Sequence, residues 1–203
     1  MKKIIVSVIA ILFLCNVQAQ SIDKGDITWG VSLGTGGNLL NNKVGDNEFA
    51  FNFNLGAYIQ YAVFDNIALT CNPQYSPLYI MNIDYDGFMH YVDIPLTFGY
   101  QGDRGSIALG LQYSLNAGNS IDFYSKDKLN YLSTFLEFSY RGGTIYNLLS
   151  DNSTCIFRIG LGLNRIKYAP TMDIYNKSRP VFFQVIYRWN LSEIFSSSNH
   201  RRR

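Results

Sequence analysis

Beyond roughly the first twenty residues, apolar side chains recur at every second position and almost nowhere at helical spacing. A period of two belongs to a β-strand, whose side chains point alternately to opposite faces. Eight segments carry it: ITWGVSLGTG, FAFNFNLGAYIQYAV, NIALTCNPQYS, HYVDIPLTFGY, SIALGLQYSLNAG, YLSTFLEFSY, TCIFRIGLGLN and PVFFQVIYRWN. In the second, Phe49, Phe51, Phe53, Leu55, Ala57, Ile59, Tyr61 and Val63 share one face, opposite Asn52, Asn54, Gly56 and Gln60. Each segment is about ten residues, the length a tilted strand needs to cross a bilayer. No internal repeat beyond this rhythm and no linker divides the chain.

What the apolar face touches decides the architecture. A soluble sandwich also alternates, but it turns its polar face to water and carries charges there. Here the polar face is mostly Gly, Ser, Thr, Ala, Asn and Gln, while Lys and Asp collect in the connections. Small polar side chains suit the inside of a narrow barrel, where opposite walls must fit together. Trp29, Tyr61, Tyr100, Tyr140 and Trp189 come from five different strands, all on the apolar parity and near one rim. That arrangement is an aromatic belt at the level of lipid headgroups, on the periplasmic side. The fold expected is therefore all-β: an eight-stranded antiparallel up-and-down transmembrane β-barrel, which leaves no unpaired edge in lipid.

The connections alternate in length. Phe64-Asp65-Asn66 and Gln101 to Gly105 are short, whereas GGNLLNNKVGDN, LYIMNIDYDGF, NSIDFYSKDK and APTMDIYNKS are longer and read as outer loops. The connection at 141–153 should be short and is not. Either the seventh strand begins near Thr144 or this turn is extended.

The chain opens MKKIIVSVIAILFLCNVQAQ, two lysines before an apolar run and a small-residue site, which reads as a secretory signal peptide cleaved after Ala19. Leu14 before Cys15 fits a lipidation site poorly, and the run is shorter than the ~20 residues of a membrane helix. The division expected is a signal at 1–19, the barrel at 20–190 and a polar, basic tail at 191–203. Export together with a formal net charge of +2, whose only basic run is Arg201 to Arg203, argues against a nucleic-acid partner. Cys71 and Cys155 make neither a disulfide framework nor a zinc pattern. Both take the lipid-facing parity on non-adjacent strands, so two free thiols are expected.

Alternation also sends a few charges inward. Glu137, Arg158 and Arg188 fall on three consecutive strands in the periplasmic half, where one Arg-Glu-Arg cluster is expected, since desolvated charges need partners. It reads as a plug that closes the lumen or, as the second reading, a gate for small solutes. Asp93 joins these lumen charges nearer the outer rim, without an evident partner. Pro95 beside it lacks a donor, and a closed barrel has no edge on which to hide that loss, so a local ladder break is expected there. His90 reads as a rim residue. No Gly-x-Ser-x-Gly elbow or phosphate cradle is present, and Asp84 and Asp86 lack the distal glutamate of a calcium loop. No catalytic residue, cofactor or metal is expected. The expected partners are outer-membrane lipids and other envelope proteins.

Several stretches carry a resemblance: YAVFDNIALTCNPQY from Tyr61 to Tyr75, the strand Tyr91-Val92-Asp93-Ile94-Pro95-Leu96, GLQYSLNAG, and the closing FFQVIYRW. Through them most of the mature chain resembles the PorT-like outer-membrane β-barrel proteins of the Bacteroidetes type. Tyr91, Ile94, Pro95 and Leu96 form its motif strand, and Ile-Pro-Leu is its most specific part. The resemblance implies an eight-stranded outer-membrane barrel without a cofactor, in a family whose namesake is associated with protein secretion and gliding. One departure is that NLSEIFSSSNHRRR follows the terminal aromatic pattern of Tyr187 and Trp189. Two function classes follow. One is an interaction component of a secretion or surface-assembly system; the other is a surface-binding or adhesion barrel using its long loops. A third reading, a lipid-modifying barrel enzyme, lacks a second barrel histidine.

Overall fold

The computed structural model describes residues 22–42, 48–81, 86–102, 105–119, 129–141, 153–171 and 174–192. Ten strands occupy them: β1 Ile27–Asn42, β2 Glu48–Phe64, β3 Ile67–Cys71, β4 Gln74–Met81, β5 Asp86–Gln101, β6 Gly105–Asn119, β7 Tyr131–Arg141, β8 Ser153–Gly162, β9 Ile166–Thr171 and β10 Ile174–Asn190. They build eight staves, because β3 with β4 and β8 with β9 are each one stave broken once. Every pairing is antiparallel, and β1 bonds to both β2 and β10, so the sheet closes on itself. The expected barrel is what forms.

The registers fix its dimensions. Following paired residues from Thr28 through Gln60, Thr70, Thr97, Gly110, Phe135, Gly160 and Phe182 returns to β1 at Asn38, ten residues further along. That stagger over eight staves tilts the strands by about 40° and leaves an interior that side chains fill. Outward positions such as Leu55, Ile59, Leu69, Phe98, Leu109, Phe157 and Phe183 are exposed, while inward Ser32, Asn54, Thr70, Gln112, Ser133 and Gln184 are buried. A band of large apolar side chains all around the wall has no place in water and fits lipid. This is a barrel of the outer membrane.

The ladder breaks where the expected proline stands. Cys71 pairs with Leu96 and Gln74 with Asp93, so Asn72-Pro73 lies against Ile94-Pro95. Asn72 N–H donates to the Pro95 carbonyl (3.1 Å) and Ala57 N–H to the Pro73 carbonyl (3.1 Å), and neither proline has an N–H with which to return the bond. On its other side Pro95 keeps a regular register opposite Gln112. A second break, which the alternation did not signal, lies at 163–165. There Leu163 N–H donates to the Leu132 carbonyl (2.7 Å) and the Asn164 side chain accepts from Leu132 N–H (2.5 Å).

The strands exceed the expected ten residues. β1, β2, β5 and β10 run 16, 17, 16 and 17 residues. Much of GGNLLNNKVGDN, LYIMNIDYDGF and APTMDIYNKS, read as loop, is strand, because polar residues there mark where a hairpin leaves lipid rather than where pairing stops. The inner face changes character at that level. Leu40, Ala50, Leu78, Ile80, Met89, Tyr91, Leu129, Tyr131 and Ile166 form one buried apolar cluster at the outer end. The expectation of a small polar inner face thus holds lower down and fails here. In lipid the barrel is greasy outside and polar inside; where its outside meets water, it packs inward like a soluble barrel.

The expected signal peptide at 1–19, the connection at 142–152 and the tail beyond Ser192 lie outside the described residues.

Candidate functional site

The lumen is organised in three levels. At the lowest, Glu137 on β7 stands opposite Arg158 on β8, which stands opposite Gln184 on β10. Adjacent inward positions on one rung bring the three side chains together. Arg158 donates to Glu137 Oε2 from both Nε (3.2 Å) and Nη2 (2.8 Å), and from Nη1 to Gln184 Oε1 (3.1 Å). Arg188, on the same face of β10, places Nη1 3.4 Å from Glu137 Oε1. Glu137 and Arg158 are each 2% exposed. The guanidinium of Arg158 lies 4.5 Å from the Phe135 ring centre and that of Arg188 5.1 Å from Tyr58, so aromatic faces cover what the carboxylate does not.

Phe135 is held there by missing side chains on its neighbours. Gly110 and Gly160 flank it on β6 and β8; a Cβ on Gly110 would overlap the Phe135 ring, and one on Gly160 the Phe182 ring and the Phe135 Cβ. Alternating small and large residues around a rung is how a narrow barrel fills its interior. From alternation alone Gln184 is one more polar-face residue, and nothing in it marks Tyr58 or Phe135. The signal for them was the glycines at inward positions of GLGLN and ALGLQ, which call for a bulky residue across the rung.

The middle level holds Asp93, flanked on its rung by Gln74 and Ser114. No ion pair among the described residues reaches it, and its Oδ1 has no hydrogen-bond partner there. Asp93 therefore stands outside the ionic cluster with which it had been grouped, because Arg158 is already engaged lower down by Glu137 and Gln184.

The apolar cluster closes the upper level. Tyr91 of the motif strand belongs to it, donating its hydroxyl to the Leu129 carbonyl (3.2 Å) and meeting the Tyr131 ring edge-on at 5.4 Å. Pro95 is buried on the same inner face, Ile94 is half-buried on the outer face, and Leu96 is exposed there. The motif strand thus lines both the lumen and the wall.

Outside, Trp29, Tyr61, Tyr100 and Trp189 are exposed and Tyr140 is half-buried. Corrected for the stagger between staves, all five stand within about two residues of one level. Cys71 and Cys155 are half-buried free thiols. His90 accepts or donates at Nδ1 to the Tyr75 hydroxyl (2.6 Å) and stacks between Tyr75 and Phe88 on the outer face. It lies away from the lumen charges, on the opposite face of the sheet.

No family model and no curated protein matches the chain. Among solved structures, Neisserial surface protein A is similar at 12% identity, covering 81% of this chain and 98% of that one with a TM-score of 0.48. The attachment invasion locus protein of Yersinia pestis is similar at 8% identity, covering 82% and 99% with a TM-score of 0.46. The outer membrane protein OprG from Pseudomonas aeruginosa is similar at 13% identity, covering 83% and 94% with a TM-score of 0.43.

Proposed function

We propose that this protein is a non-conducting, non-catalytic outer-membrane barrel that works through its wall and outer hairpins as an interaction component of an envelope assembly. The observation that carries this reading is the filling of the lumen at two levels. The Glu137, Arg158 and Arg188 cluster lies below and the Leu40, Ile80, Met89 and Tyr91 cluster above. A lumen packed in this way offers a solute no path, which leaves the outer surfaces as the place of work. The hairpins that continue past the lipid carry their own apolar core, so they present stiff surfaces. At their outer ends Leu39, Phe51, Met81 and Phe88 stay exposed on β1, β2, β4 and β5.

The association with secretion or surface assembly rests on the resemblance of Tyr91, Ile94, Pro95 and Leu96 to the PorT-like motif strand. The non-catalytic reading is supported by His90, whose ring is engaged by Tyr75 and Phe88 on the wall rather than by a nucleophile. Affinity purification of the tagged protein from native outer membranes in mild detergent tests the proposal. It predicts stoichiometric co-purification of other envelope proteins. A protein that purifies alone, yet binds surfaces through its outer hairpins, would be the adhesion barrel instead and would overturn it.

A further inference from the structure

The outer wall carries a basic patch that neither the barrel fold nor the proposed interaction role requires. Arg165, in the break between β8 and β9, and Arg179 on β10 are both exposed. Below the break, Leu161 pairs with Val181; above it, Ile166 pairs with Ser178, so the register has slid by two residues. Without that slide Leu163 would face Arg179. With it, Arg165 and Arg179 each lie one residue on the periplasmic side of the buried Ile166–Ser178 pair. Two residues further on, the register sets Lys167 opposite Lys177. Two exposed arginines, one in the break and one on β10, thus stand next to the same backbone pair on the outward parity. Like charges side by side on a sheet face destabilise it, and among the described residues no ion pair relieves either arginine.

Height says what relieves them. From Trp189 in the periplasmic belt to Arg179, β10 runs ten residues. At about 3.3 Å per residue and a tilt of about 40°, that is about 25 Å along the barrel axis, one thickness of the apolar band. Arg179 and Arg165 therefore stand at the phosphate level of the outer leaflet. Directly beneath them, on β8, in the break and on β10, lie exposed Leu161, Leu163 and Phe183. A cationic fork above an apolar strip matches an amphiphile with a phosphorylated head and acyl chains.

We propose that Arg165 and Arg179 form a binding site for the phosphate of an outer-leaflet glycolipid, whose acyl chains lie along the wall beneath. Planar guanidiniums bind phosphate through paired, charge-assisted hydrogen bonds, which a single solvated arginine does not match. A free phosphate offers the same head chemistry without the chains, and the experiment separates the two.

The delipidated full-length protein in detergent would be titrated with diphosphoryl lipid A, with its dephosphorylated counterpart and with inorganic phosphate, and binding read by native mass spectrometry. The site predicts that diphosphoryl lipid A binds the wild type more tightly than the Arg165→Gln/Arg179→Gln variant by about tenfold or more. Dephosphorylated lipid A should bind both proteins alike. Arg165→Lys/Arg179→Lys, which keeps the charge, should retain part of the difference, and an unchanged heat-dependent gel shift shows that each variant folds. Equal binding of diphosphoryl lipid A to wild type and glutamine variant would overturn the site. Displacement of lipid A by millimolar inorganic phosphate would overturn the glycolipid assignment in favour of a free anion.

Discussion

Arg158 gives two of its donors, Nε and Nη2, to a single oxygen of Glu137, leaving the other oxygen to Arg188. One carboxylate thus holds two guanidiniums across three consecutive staves. Removing its charge leaves both arginines buried without an anion, and breaking such a pair costs about 3–5 kcal/mol. Glu137→Gln should therefore lower unfolding stability in urea by about that amount. Planar-bilayer recordings of the same variant should stay silent, because the apolar cluster above remains in place. Ion steps in that variant would identify the cluster as a gate.

The packing between glycine and phenylalanine gives a second test. Gly110→Val meets the Phe135 ring, and such overpacking costs about 1–3 kcal/mol or more. The variant should assemble poorly into liposomes, as read by the heat-dependent gel shift. Adding Phe135→Ala should recover part of the yield by opening the space. No recovery would mean that Phe135 does not fill the rung.

The alternation in the sequence made the barrel, the lipid-facing side and the level of the belt legible, because each depends only on parity and strand order. The inward placement of Glu137, Arg158 and Arg188 followed from the same parity. Strand ends were less legible. Asn41 and Asn42 look like loop, yet they continue β1, since backbone pairing tolerates polar residues once the hairpin stands in water. The upper apolar cluster was hidden for a related reason. Leu40, Ile80 and Met89 lie on the polar parity, and only the position of the lipid boundary explains why apolar residues belong there. The lack of a charged partner for Asp93 was legible too, whereas the contact of Arg158 with Gln184 was not, because it depends on where the guanidinium reaches.

The two thiols test the wall. Cys71 and Cys155 face outward on staves that are not neighbours. In proteoliposomes both should react with a small apolar maleimide and resist a charged, membrane-impermeant one. The intact mass should show no internal disulfide. A disulfide would contradict the strand placement of both.

The chain has two tryptophans, Trp29 and Trp189, and both stand in the periplasmic belt. Their fluorescence therefore reports the belt alone. Quenching by lipids brominated at graded depths should be strongest for bromines near the headgroup and weakest at the bilayer centre. Strongest quenching at the centre would displace the whole barrel along the membrane normal.

Single-channel recording of the wild-type protein in planar bilayers reads directly whether the lumen is closed at two levels. The prediction is no conductance steps above leak for the wild type, with steps appearing only when Glu137→Gln is combined with truncation of the upper cluster, such as Ile80→Ala with Met89→Ala. Stable, reproducible steps from the wild-type protein would contradict it.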